Sequence, residues 1–181
     1  MKKTVYQGRY VRVDEEEFGE KRVLYEKAFL RNGVTVIPFD PEDRVILVRE
    51  HRPQEDPPLR LKLVTGFLEE GMTVEENADR ELREEAGFKA GRLRLYAVNR
   101  QTGSFNQTNH YVMAADLVHS PLPNPDGHDS ILEVLPVGLP ELYKMLVEGR
   151  FGYSTASYVL LKICIEIREG RFDFIPGLRL P

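Results

Sequence analysis

The chain is short of cysteine, of long apolar runs and of surplus positive charge. Its one cysteine, Cys164, lies in an apolar, helix-like stretch. No intramolecular disulfide can form, and Cys164 reads as a small core residue, compatible with a reducing cytoplasm. No stretch approaches the roughly 18 apolar residues that a membrane-crossing helix needs. The opening Met1-Lys2-Lys3-Thr4 lacks the apolar run of a secretory leader. Lys and Arg total 25 against 29 Asp and Glu, a net charge of −4. That balance argues against the basic footprint on which non-specific nucleic-acid binding depends. Internal repeats and low-complexity tracts are also missing. The expectation is a cytoplasmic protein without a membrane or nucleic-acid partner. A phosphorylated small-molecule substrate stays open, because a bound metal can supply the positive charge.

What is present fits a soluble globular chain: 181 residues, 41% hydrophobic and 30% charged, enough for one domain with a small extra element. The first third reads as strands. Tyr10 to Val13 alternates, and the acidic Asp14 to Phe18 with Gly19 reads as a turn. Lys21 to Leu30 is a second extended run, closed by the turn signal Asn32-Gly33. Val34 to Ile37 and Val45 to Val48 are β-branched and apolar, separated by Asp40-Pro41-Glu42-Asp43, which predicts a hairpin with a loop longer than two residues. Pro53 to Pro58 is loop-like, and Leu59 to Val64 alternates apolar with basic residues. Leu93 to Asn99, His110 to Val118 and Ile131 to Val137 read as further strands, with loops at Gln101 to Asn109 and Ser120 to Ser130. Pro140 and Gly149 bracket a short helix, and Ser154 to Arg168 is the last. The pattern predicts an α/β (α+β) fold: an antiparallel or mixed sheet with a few covering helices, not a regular βαβ series.

One segment carries the chemistry. Thr73 to Glu76 matches a capping box, and Val74, Ala78, Leu82 and Ala86 recur every four residues as a buried stripe. Gly87 is a natural helix stop. Arg80-Glu81-Leu82-Arg83-Glu84-Glu85 then places three carboxylates within about a third of the helix circumference, with Asn77 on the same face. The stripe lies beside that face, so the carboxylates sit at the margin of the buried surface. Hard oxygens so placed suit Mg²⁺ or Mn²⁺. A solvated acidic face paired with Arg80 and Arg83 is the plainer alternative.

The wider segment Gly66 to Phe88 resembles the signature of the Nudix hydrolase superfamily: Gly, five residues, Glu, seven residues, Arg-Glu-apolar-any-Glu-Glu-any-Gly-apolar. Gly66, Arg80, Glu81, Leu82, Glu84, Glu85, Gly87 and Phe88 match in spacing. Val45 to Pro53, Leu61 to Gly66 and Tyr153 to Ile165 are similar to the ADP-ribose and nucleotide-sugar pyrophosphatase branch. The resemblance implies an α/β/α sandwich with a mixed sheet, and a metal-dependent cut in the pyrophosphate of a nucleoside diphosphate derivative. It implies Glu81, Glu84 and Glu85 as metal ligands with the Thr65 carbonyl, and Arg80 orienting a glutamate. It implies residues 1–30 as a strand-rich dimerisation element on a domain of residues 31–181. Arg52 is the preferred substrate contact, Gln107 is a second substrate-binding position, and Arg49 is structural. Phe105 and Tyr111 are either base-stacking or core aromatics.

Three departures stand out against this resemblance. Met72 occupies the place of the first signature Glu, and Met binds hard cations poorly. Lys62 reverses a charge near the site. Gln107 stands where the branch often has a Glu base, and an amide cannot take a proton from water. Substitutes for that base are the box glutamates, Asp126, Asp129 or Glu133, with Asp126, His128 and Asp129 otherwise ordinary loop residues. The departures keep a second expectation open, a catalytically weakened nucleotide-binding or regulatory module. A nucleic-acid-processing role lacks any continuous basic stretch.

Overall fold

The computed structural model describes residues 2–123, 130–151 and 154–180. Its strands are β1 (Lys2–Gln7), β2 (Val11–Phe18), β3 (Val23–Leu30), β4 (Gly33–Pro38), β5 (Val45–His51), β6 (Leu59–Lys62), β7 (Val64–Phe67), β8 (Phe88–Gln101), β9 (Phe105–His119) and β10 (Ile131–Val137). Helix α1 (Val74–Glu81) runs on into a π-helical turn (Leu82–Ala86), and α2 (Leu139–Val147) and α3 (Ser154–Arg168) follow β10.

The larger sheet runs β1-β2-β3-β9-β4-β7, with β8 also paired to β9. It is mixed: β9 lies parallel to β3 and β4 but antiparallel to β8. The smaller sheet, β10-β5-β6, is antiparallel. Alternation along the strands divides the core in two. Val34, Val36, Ile46, Val48, Val64, Val112 and Ala114 pack against Ala78, Leu82 and Ala86 of the α1 segment. Ile37, Val45, Leu47, Leu63, Tyr111, Met113 and Ala115 face Leu142 of α2 and Leu160 and Ile163 of α3. Both sheets contribute to both clusters, so they form one layer between α1 and the α2–α3 pair. This is the expected sandwich, and it explains why β4 and β5 are apolar on both faces. Cys164 is fully buried in α3, where burial pushes its thiol up to about 11, as a core residue requires.

Four expectations change. The acidic Asp14 to Phe18 run is strand, not turn, and the chain reverses at Gly19 to Arg22 instead. Cross-strand partners make the acids tolerable: Asp14 meets Lys2 at 3.1 Å and Arg12 at 3.2 Å, and Glu16 meets Lys27 at 3.1 Å. β4 and β5 do not form a hairpin. Only Phe39 and Val45 bridge, and each strand pairs with neighbours in a different sheet. Asp40 turns the chain between them by accepting the backbone N–H groups of Glu42 and Arg44. Leu59 to Val64 likewise breaks at Leu63, so β6 joins one sheet and β7 the other. Finally, Gln101 to Asn109 is mostly strand, and Gln107 lies within β9 opposite Gln101. Asp126, His128 and Asp129 lie outside the described residues.

Candidate active site

The site is built from the start of α1 onward. Thr73 caps the helix: its hydroxyl accepts from the Glu76 N–H at 3.1 Å, and Glu76 accepts from the Thr73 N–H at 2.7 Å. The predicted stripe is buried, with Ala78 and Leu82 at 0% exposure. Gly87 ends the segment in the left-handed region at φ 77°, where L side chains are strained. The π turn was not expected. The backbone N–H of Leu122 donates to the Arg83 carbonyl, and the Gly87 N–H donates to Leu82, one residue further back than an α-helix would use. The Arg83 guanidinium also donates to the Ser120 carbonyl at 3.0 Å. The strand end after β9 therefore holds the wider turn that carries Glu84 and Glu85.

The three carboxylates do come together, each with its own surroundings. Glu81 lies against the backbone of Gly66; a Cβ there would stand 1.9–2.4 Å from the carboxylate atoms. Burial pushes the Glu81 carboxyl up to about 7; Arg80, which donates to it at 3.0 Å, opposes the shift, and the charges of Glu85 and Glu84 add to it. Glu84 faces Arg80 at 3.8 Å. Glu85 accepts from the Thr65 N–H at 3.1 Å and from the Lys62 ammonium at 2.8 Å. Burial raises the Glu85 carboxyl against the pull of Lys62. Lys62 also donates to the Thr65 hydroxyl at 3.0 Å and lies 3.7 Å from Glu50. The charge reversal seen in the sequence is thus an internal cation, its side chain 6% exposed.

Met72 has a simple consequence. Its side chain is at the surface, and Glu69 supplies a carboxylate 3.7 Å from Arg80. Glu69 is itself placed by Asn77, which accepts its backbone N–H at 2.9 Å. Asn77 is fully buried, deeper than the marginal position expected of its helix face.

A cleft of about 370 Å³ opens beside this cluster. Arg52, Arg60, Gln107 and Asn109 give it polar walls, and Phe67, Tyr111 and Phe151 apolar ones. Lys62, Thr65 and Gly66 belong to its lining and touch Glu85 and Glu81 from that side. Arg52 is held by Glu50 at 2.7 Å. The Gln107 amide donates to the Arg31 carbonyl at 2.9 Å. Tyr111 is 2% exposed and serves both core and cleft wall, whereas Phe105 is exposed. Arg49 pairs with Glu133 at 3.0 Å at the surface, away from the cluster's contacts, which fits its structural reading and gives Glu133 a salt bridge.

Sequence reasoning passed over Glu50 and Arg60. Glu50 was legible in principle: it continues the Ile46, Val48 alternation of β5 onto the α1 face, and a carboxylate at such a position needs cations beside it.

The chemistry of these oxygens suits a divalent cation near Glu81 and Glu84, where negative charge accumulates. It suits one less well at Glu85, whose two oxygens already accept from Lys62 and Thr65. Among the described residues, no three His, Cys, Asp or Glu side chains are arranged to close a metal shell unaided.

ADP-ribose pyrophosphatases of Escherichia coli (strain K12) and Shigella flexneri are each 36% identical to this chain over 73 residues. The matched segment spans 38% of this chain and about a third, 34%, of those relatives. A solved structure described as an ADP compounds hydrolase superposes with a TM-score of 0.74 and 23% identity, covering 95% of both chains, and so shares the fold. The NUDIX domain profile matches residues 29–150, well over half of the sequence. With its signature helix, sandwich fold and profile in agreement, the chain belongs to the NUDIX domain family.

Proposed function

We propose that this chain is a Nudix hydrolase that cleaves the pyrophosphate of a nucleoside diphosphate derivative, ADP-ribose or a nucleotide sugar, with Mg²⁺ or Mn²⁺. The observation that carries the reading is the convergence of Glu81, Glu84 and Glu85 beside a cleft lined by Arg52 and Arg60. The names of the relatives supply the substrate class. Water oxygen would attack one phosphorus, the bond from that phosphorus to the bridging oxygen would break, and the proton lost by water would pass to a base. The products are a nucleoside monophosphate and the phosphorylated remainder.

Glu81, Glu84 and the Thr65 carbonyl are the oxygens that would hold the ion, with Glu85, whose oxygens accept from Lys62 and Thr65, adding negative charge at its edge. A divalent cation there would neutralise phosphate charge and lower the pKa of water. Arg80 fixes Glu81 by a hydrogen bond and Glu84 by charge. Arg52, oriented by Glu50, presents its guanidinium to phosphate oxygens. Gln107 positions substrate or water without taking a proton, and a box glutamate would serve as the base. Incubation with ADP-ribose and a nucleotide-sugar panel plus Mg²⁺ or Mn²⁺ should release nucleoside monophosphate. Glu85→Gln should lower that rate by about 10²–10³-fold, the scale of one lost transition-state contact.

The buried Lys62–Glu85 pair favours a second reading, a nucleotide-binding or regulatory module with weakened catalysis. Nucleotide binding by calorimetry without product on the same panel would select it. Turnover at ordinary rates of about 1–10³ per second would reject it.

We also propose that the β1–β3 ribbon is a homodimerisation element. Tyr6, Leu24 and Tyr25 are each more than half exposed, Leu24 and Tyr25 on opposite faces of the ribbon, apolar area that a monomer would leave in water.

A further inference from the structure

Lys62 is the residue that the proposed chemistry leaves unexplained. Its neighbours are oxygens: Glu85 Oε1 at 2.8 Å, Thr65 Oγ1 at 3.0 Å and Glu50 Oε2 at 3.7 Å. The Lys62, Glu85 and Glu50 side chains are 6%, 11% and 8% exposed, so water screens the group poorly. An ammonium carries three donors and a compact charge, the same demands that a small hard cation makes on its surroundings. Its backbone position explains how it gets there. Leu61 and Leu63 turn toward the α2–α3 core, and the alternation sends Lys62 to the opposite face, under the π turn. Thr65 lies on β7, the edge strand of the larger sheet, and offers its N–H to Glu85 and its hydroxyl to Lys62.

We infer that the Lys62 ammonium occupies a cation position beside Glu85, Glu50 and Thr65, so that the wild-type cluster takes up one divalent ion fewer than it does when Lys62 is removed. Lys62 is then a positioning residue that sets metal stoichiometry. The inference rests on the reading of the glutamates as a cation site.

The test counts bound Mn²⁺, not activity. Titration of the folded chain with Mn²⁺, followed by the electron paramagnetic resonance signal of the free ion, gives ions per chain. Lys62→Met should bind one more Mn²⁺ than wild type, and Lys62→Arg should bind as wild type does. Adding Glu85→Gln to Lys62→Met should remove the extra ion, since the carboxylate that would hold it is gone. Mn²⁺ should also raise the melting temperature of Lys62→Met by more than that of wild type. If Lys62→Met is unfolded in metal-free buffer, recovery of its native circular dichroism with Mn²⁺ supports the inference, and failure to recover overturns it. Equal stoichiometry in wild type and Lys62→Met overturns the role of Lys62 and leaves the hydrolase reading standing. Absence of Mn²⁺ binding in every folded variant overturns both.

Discussion

Gly66 and Glu81 form the tightest dependence in the site. The glycine is needed there for room, because the Glu81 carboxylate fills the space a Cβ would take. The obstructing atoms are the end of a flexible side chain, so alanine displaces Glu81 in preference to the backbone. Gly66→Ala should therefore keep the melting temperature within about 4 °C, the shift that about 1 kcal/mol produces in a chain of this size. Its turnover and Mn²⁺ affinity should fall together, turnover by about 10²-fold for a displacement near 1 Å. Thermal melts and kinetics on the same preparation check this; a large melting loss with intact Mn²⁺ binding would contradict it. The same scale shows how a sequence departure is absorbed. Met72 removes a carboxylate from the signature, and Glu69, three residues earlier, reaches Arg80 instead. Linear comparison cannot show that exchange, because it depends on how the Gly66 to Met72 loop folds back on the helix.

At the scale of the element, α1 was the most readable part of the chain. Its capping box, four-residue stripe and Gly87 stop are local devices, each set by side chains within a few residues. Thr73→Ala removes the cap hydroxyl and should cost about 1 kcal/mol, measurable as a modest fall in chemical or thermal stability with the fold retained. Unchanged stability would mean that the helix start is held by packing alone. The π turn had no such signature. It coincides with a tertiary contact, the Leu122 N–H, 39 positions after Arg83, donating to the Arg83 carbonyl. Projection at the regular helical angle placed Glu81, Glu84 and Glu85 on one broad face. The actual turn gives them three environments: Gly66 for Glu81, Arg80 for Glu84, and Lys62 with Thr65 for Glu85. The mispaired hairpin has a related cause. β-branched runs and a turn mark two strands, but which partners they take is set by β9, β7, β6 and β10, of which β9 and β10 are distant in sequence.

At the scale of the molecule, two sheets make one layer with helices on both sides, and the candidate site sits where the chain passes between the sheets at Leu63. The β1–β3 ribbon projects from that body, joined to it by the short pairing of β3 with β9 and by stacking of Tyr10 on Phe67 at 5.5 Å. Its exposed Leu24 and Tyr25 are the proposed contacts with a second copy. Sedimentation velocity should show a dimer for wild type and a shift to monomer for Leu24→Glu combined with Tyr25→Glu. A monomeric wild type at micromolar concentration would end that proposal.

By itself the sequence determined the elements whose causes are local: the capped helix with its buried stripe, the carboxylates and the glycine that stops them, and the last helix at Ser154–Arg168. Short-range spacing is enough for these, since side chains three and four apart meet on a helix whatever the rest of the chain does. Tertiary structure alone decided strand partnership, the widened turn, the use of Glu69 beside Arg80, and the placement of Lys62 against Glu85. Each of these joins residues that no short-range spacing brings together, and a buried charge takes its meaning from the partner that the fold brings to it.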